Sequence, residues 1–179
     1  DVYKRQDPEP EEHLRRVEAA IGTIETSKLE KVVLARAVDI EFPEAIDPRL
    51  VAARLIDLSA NRDGFIADLS PAGRPGAMLV GSSPEVLVKR QGSTVSAFPL
   101  AGSSPRRALA AEDHLAGQDL LHSSKDLHEH AFVVDHLRRA LTPLCERLDI
   151  PDVPQLISTN EMWHLGTPIS GTLKDKDLT

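Results

Sequence analysis

Cysteine is nearly absent. The 179-residue chain has one, Cys145, so no internal disulfide framework can form, and a reducing compartment is the expected setting. Aromatic residues make up only 3%, which leaves Leu, Val, Ile and Ala to build most of any core. Positive charge is in deficit: 21 Lys and Arg against 28 Asp and Glu give a net −7. That balance argues against nucleic acid or an anionic membrane as the main partner. No apolar run approaches the ~18 residues of a membrane span, and no charged-then-apolar leader opens the chain. Internal repeats and low-complexity tracts are missing as well. The expectation is a soluble, cytoplasmic protein with one domain large enough to bury a real core.

Residues 1–10 read as a disordered tail, the first six polar, aperiodic and open to being foreign to the domain; 11–179 read as the domain itself. Pro10, Glu11 and Glu12 open a helical pattern with Leu14, Val17, Ala20, Ile21 and Ile24 on one stripe. Residues 31–42 (KVVLARAVDIEF) are β-branched and apolar enough for a buried strand. Helical spacing returns over 48–58, with Pro48 near the first turn. Residues 65–69 and 77–81 read as strands around a turn. Two further β-type runs flank Gln91-Gly92-Ser93, a hairpin signal, and the second runs into a Gly-containing polar loop at 101–104.

Residues 106–121 read as an Ala/Leu-rich helix. Ser123 or Ser124 then caps a longer one with Leu127, Ala131, Val134, Leu137 and Leu141 on its apolar face, and Pro143 kinks or ends it. Cys145 is read as helical and packed. Residues 153–158 suit a strand, and Trp163-His164-Leu165 precedes a Gly166-Thr167-Pro168 turn. The stretch 171–176 shows no closing element. Strands, then helices, then more strands indicate an α+β fold rather than regular βαβ alternation.

Several residues could carry chemistry. Lys31 shares a strand face with Val33, Ala35 and Ala37. Desolvation there would lower its pKa toward a proton-accepting amine; a strand-end lysine reaching for water is the plainer reading. Glu85 follows a Ser-Ser-Pro turn and precedes Val86-Leu87-Val88. Held against that strand it would stay protonated and act as a general acid, or it simply guards a sheet edge. Gly102 and Ser103 offer backbone N–H groups to an anion such as a carboxylate, or form an ordinary turn.

In His128-Glu129-His130 the two histidines point roughly 200° apart on a helix and cannot chelate one ion together. Glu129 falls on a partly apolar side and could offer an oxygen ligand to magnesium, with a helix-surface ion pair as the alternative. His164 is either a hydrogen-bond donor to substrate or a satisfied core histidine.

Six stretches, in order, resemble the chorismate-utilising enzymes and most closely their isochorismate synthases. They are KVVLAR (31–36), GSSPEVLVKR (81–90), FPLAGSSPR (98–106), SSKDLHEH (123–130), PQLIST (154–159) and MWHLGTPISG (162–171). The resemblance implies a partial anthranilate-synthase-like chorismate-binding fold, with antiparallel-rich sheets and helices packed outside. It implies magnesium-dependent addition of water at C2 of chorismate with loss of the C4 hydroxyl, serving siderophore or menaquinone synthesis. In that family Lys31 matches the base that activates water and Glu85 the acid that protonates the leaving hydroxyl. Gly102, Ser103 and His164 match substrate-binding residues, and Glu129 matches a magnesium ligand.

Ala101 stands where the aminodeoxychorismate synthases of the family carry a nucleophilic lysine, which argues against that covalent chemistry. Salicylate synthase, which shares the base and acid, is the alternative activity. The departure lies at the C-terminus: the family continues with a second magnesium carboxylate and carboxylate-anchoring cations. The chain is therefore expected to be C-terminally truncated, inactive alone or a non-catalytic fragment, and otherwise monomeric with a small-molecule substrate.

Overall fold

A computed structural model describes residues 3–59 and 61–175, in two compact units, Asp1–Asp47 and Pro48–Thr179. Among the described residues no helix is long and apolar enough to cross a membrane.

The first unit holds β1 (Tyr3–Asp7), α1 (Pro10–Thr26) and β2 (Ala37–Glu41). β1 and β2 pair antiparallel, from Tyr3 opposite Glu41 to Asp7 opposite Ala37. Residues 1–10, expected to form a disordered tail, thus hold a strand and the first residue of a helix; residues 1 and 2 lie outside the described part. α1 starts on Pro10, whose missing N–H costs nothing at a helix start, and Glu12 pairs with Arg15 and Arg16. Its apolar stripe forms, yet none of its residues is buried.

The strand expected over 31–42 is shorter than the sequence suggests. Ladder pairing runs out where Asp7 meets Ala37, because Pro8 offers no N–H and the chain turns into α1. Residues 31–36 therefore lack regular structure, and Val32, Val33 and Leu34 are exposed.

The second unit carries α2 (Pro48–Leu58), β3 (Gly64–Asp68), β4 (Met78–Ser82), β5 (Val86–Gln91), β6 (Thr94–Phe98) and β7 (Leu100–Pro105). It continues with α3 (Ala110–His122), α4 (Ser124–Leu141), β8 (Cys145–Asp149), β9 (Gln155–Ser158), β10 (Met162–Gly166) and β11 (Ile169–Leu173). Sheets run in the orders β3-β4, β7-β10-β9 and β5-β6-β11-β8, with antiparallel pairing throughout. The class is α+β, as the order of elements predicts. The hairpin turns at Gly92, whose φ of 61° suits a residue without Cβ. Ser123, not Ser124, caps α4 and accepts a hydrogen bond from the Asp126 N–H.

Period-2 burial decides the core. Val95 and Ala97 of β6 and Ile169 and Leu173 of β11 point inward, meeting Leu141 of α4 and Cys145. Two expectations fail here. Cys145 is the first residue of a strand, since α4 stops at Leu141 ahead of Pro143 and the chain resumes as β8. The stretch thought to lack a closing element forms β11, which sits between β6 and β8; residues 176–179 lie outside the described part. Gly171 is required in that strand because a Cβ there would lie 2.9 Å from the Cys145 sulfur.

Ile169 is 2% exposed, whereas Leu87 of β5 is 77% exposed. Ile169→Ala should therefore cost about 2–5 kcal/mol in urea unfolding. Leu87→Ala should change stability by roughly 0.5 kcal/mol or less. Equal losses would contradict this placement of the core.

Candidate functional site

The site is built on a β-bulge. β7 and β10 pair with Leu100 opposite Gly166 and Ser103 opposite His164, so Ala101 and Gly102 together face the single residue Leu165. Gly102 has a φ of 82°, and a Cβ there would approach Asp126 Cβ at 3.1 Å and Leu165 Cδ1 at 3.2 Å. Left-handed backbone and tight surroundings both call for glycine. The expected polar loop at 101–104 is thus an irregular strand, because its residues find partners along β10.

Beyond the bulge, Ser103 is exposed, and its Oγ lies 2.8 Å from His164 Nδ1. Glu85, in the turn before β5, accepts the Leu100 N–H through Oε1 at 3.2 Å. Burial holds the His164 imidazole below its ordinary pKa, while the Glu85 charge works in the opposite direction. A neutral imidazole, a hydroxyl, a carboxylate and a glycine-edged backbone therefore meet beside β7. Such a set can receive an anionic, oxygen-rich molecule and move a proton at its edge.

Glu129 projects from α4, the helix whose Asp126 backs Gly102. It is half-buried and pairs with Lys125 at 3.8 Å. Among the described residues no group of three or more His, Cys, Asp or Glu side chains is arranged to hold a metal. One carboxylate already shared with a lysine does not make a magnesium site, since this hard cation needs near-octahedral oxygen ligation.

Glu85 and Lys31 depart from their expected surroundings. Glu85 is exposed and not enclosed by the following strand. Lys31 lies in the first unit, partly buried in the irregular stretch before β2, and the apolar neighbours expected to enclose it are exposed. The cluster at β7 is drawn from the second unit alone: Glu85, Gly102, Ser103 and His164, backed by the helix that carries Glu129.

Two groups escaped sequence reasoning. The Arg106 Nε–H is shared between both Asp113 oxygens at 2.9 Å, and Asp113 also accepts from Arg106 Nη2 at 2.7 Å and from the Arg107 N–H at 2.8 Å. The Arg106 guanidinium also stacks 4.4 Å from the centroid of Trp163, whose indole N–H donates to Asp113. This use of Arg106 and Arg107 ahead of the helix explains why α3 begins at Ala110 and not at 106. The second is His130, buried at 3% exposure, which touches the Ala101 carbonyl and Thr167. Its signal was available: 130, 134, 137 and 141 keep helical spacing, and His130, not Ala131, occupies the buried stripe.

Residues 1–178 match the chorismate binding enzyme family. Isochorismate synthase DhbC of Bacillus subtilis strain 168 is 41% identical over 174 residues, covering 96% of this chain and 44% of that protein. Isochorismate synthase EntC of Escherichia coli strain K12 is 36% identical over 178 residues, covering 99% of this chain and 44% of its own length. The crystal structure of DhbC from Bacillus anthracis superimposes with a TM-score of 0.91 at 34% identity, over 100% of this chain and 48% of that one. The chain spans a little under half the length of the relatives it matches.

The ion pair and the imidazole set a pH dependence. Hydrogen bonds from Arg106, then from the Arg107 N–H, hold Asp113 far below the usual carboxylate range. A depressed acid stabilises the fold above its unfolded pKa, about 4, and that contribution is lost as pH falls. His164, also depressed, stabilises above its unfolded value of about 6.5, and that contribution too is lost on acidification. Thermal midpoints should therefore fall from pH 7 toward pH 3, and Asp113→Asn should lower the midpoint and flatten its decline below about pH 4. A variant with the wild-type acid profile would contradict the role given to Asp113.

Proposed function

Because the chain belongs to the chorismate binding enzyme family, we propose that the protein containing it converts chorismate to isochorismate, water adding at C2 as the C4 hydroxyl departs. The observation that carries this reading is the Ser103–His164 hydrogen bond standing beside Glu85 on the bulged strand. The naming of both curated relatives as isochorismate synthases supports it.

Gly102 N–H and Ser103 bind a carboxylate of the substrate. When Ser103 donates to His164 Nδ1, the ring proton sits on Nε2, and the neutral ring donates to a substrate oxygen. Hydroxide is a poor leaving group, so it must depart as water. Glu85, whose Oε1 accepts the Leu100 N–H, is assigned as the acid that gives that proton, on the strength of its motif. Lys31 is assigned as the base that takes a proton from the attacking water, on the strength of its motif. Glu129 is assigned as one ligand of a magnesium ion, which when bound would neutralise the C1 carboxylate. Cytoplasmic location and a monomeric state belong to the same proposal.

The test is incubation of the full-length protein with chorismate and magnesium, with products separated by chromatography. Isochorismate is expected. Pyruvate release with salicylate would move the assignment to salicylate synthase, and unconsumed chorismate would overturn both. Residues 1–179 alone should give no turnover, since they span under half the length of the isochorismate synthases they match.

In the full-length protein Glu85→Gln should cost on the order of 10²-fold in turnover, since it removes the proton donor and keeps its shape. Lys31→Ala should abolish turnover yet leave chorismate binding measurable by calorimetry. Binding lost together with activity would make Lys31 a substrate anchor instead.

A further inference from the structure

His130 is a buried polar side chain on α4 that the reaction above does not use. Its Nδ1 lies 3.1 Å from the Ala101 carbonyl oxygen and its Nε2 lies 2.7 Å from Thr167 Oγ1. Thr167 is itself only 1% exposed, and its N–H donates to the Pro99 carbonyl at 3.3 Å. A carbonyl oxygen can only accept, so Nδ1 carries the proton. Nε2 bonds the Thr167 hydroxyl. One imidazole thus ties the inner residue of the bulge to the turn between β10 and β11.

The Ala101–Gly102 peptide is planar and trans, so its N–H points opposite to its C=O. With the carbonyl turned inward to His130, the Gly102 N–H is directed away from α4. Glycine at a φ of 82° imposes little cost on the alternative in which this peptide is rotated. The rotated form would present a carbonyl oxygen, which repels a carboxylate. We propose that His130 is a positioning residue that locks the Ala101–Gly102 peptide with its N–H toward a carboxylate of the substrate. The inference rests on the chorismate reading and adds to it a residue that never touches the substrate.

Asparagine and glutamine separate the two ends of the imidazole. The Asn amide nitrogen can take the place of Nδ1 and keep the bond to the Ala101 carbonyl. The Gln amide reaches instead to the position of Nε2, keeping Thr167 and releasing Ala101. In the full-length protein His130→Asn should hold KM for chorismate within about threefold, and His130→Gln should raise it about tenfold or more, the scale of one hydrogen bond to a charged group. In both variants kcat should change less than KM does in the Gln variant. A merely structural histidine predicts equal changes in the two, and that result would overturn the proposal.

Thr167→Val keeps shape while removing the hydroxyl that anchors Nε2, so it decides the matter if the His130 variants do not fold. A rise in KM of about threefold, as for His130→Asn, is expected because the bond to the Ala101 carbonyl remains, and either an unchanged KM or a rise of about tenfold would count against the lock. Wild-type protein that neither binds nor consumes chorismate would sink the functional reading and the lock together. Wild-type turnover with indifferent variants would remove only the role of His130.

Discussion

The extra residue in β7 is the constraint on which the site depends. Strand side chains alternate between faces, so a slip of one residue would turn Ser103 away from His164. The bulge absorbs that slip: Ala101 and Gly102 are consecutively buried, and Ser103 returns to the exposed face opposite His164. Only glycine accommodates both the left-handed backbone and the approach of Asp126 and Leu165. The same distortion brings a main-chain N–H, a hydroxyl and an imidazole to one edge.

Buried ties hold β10 on both sides of His164. Trp163, one residue earlier, donates to Asp113, which is itself gripped by Arg106. Thr167, three residues later, is held by His130 and by the Pro99 carbonyl. The first reaches from α3 to β10 itself, the second from α4 to the turn that follows it. Site residues fixed by packed second-layer partners keep their geometry better than residues on free loops. The short distance from Ser103 to His164 follows from these anchors as much as from the pair itself.

Much of this was legible in the sequence. The spacing of apolar residues placed α1, α2 and α4, and Gln91-Gly92-Ser93 placed the hairpin, because these signals are local. The misreadings concern partners distant in sequence. Residues 31–36 have strand composition but meet no strand beyond Asp7. Residues 101–104 have loop composition yet pair with β10, about 60 residues on in the chain numbering. Asp113 carries no local signal, because its partners Arg106 and Trp163 meet it only in the folded chain. His130 was weighed only as a metal ligand, and its place on the buried stripe was overlooked.

The position of β11 bears on how the chain reaches this structure. β11 is made after β5, β6 and β8, yet it lies between β6 and β8 and hydrogen-bonds to both. Among the described residues, until 169–173 have been synthesised, β5 and β6 pair only with each other and β8 has no sheet partner. Two-stranded hairpins are at best marginally stable in water. The four-stranded sheet and the core beneath α4 must therefore form late and together, through contacts of large sequence separation, which makes for slow folding and a long exposure of apolar strands on the way.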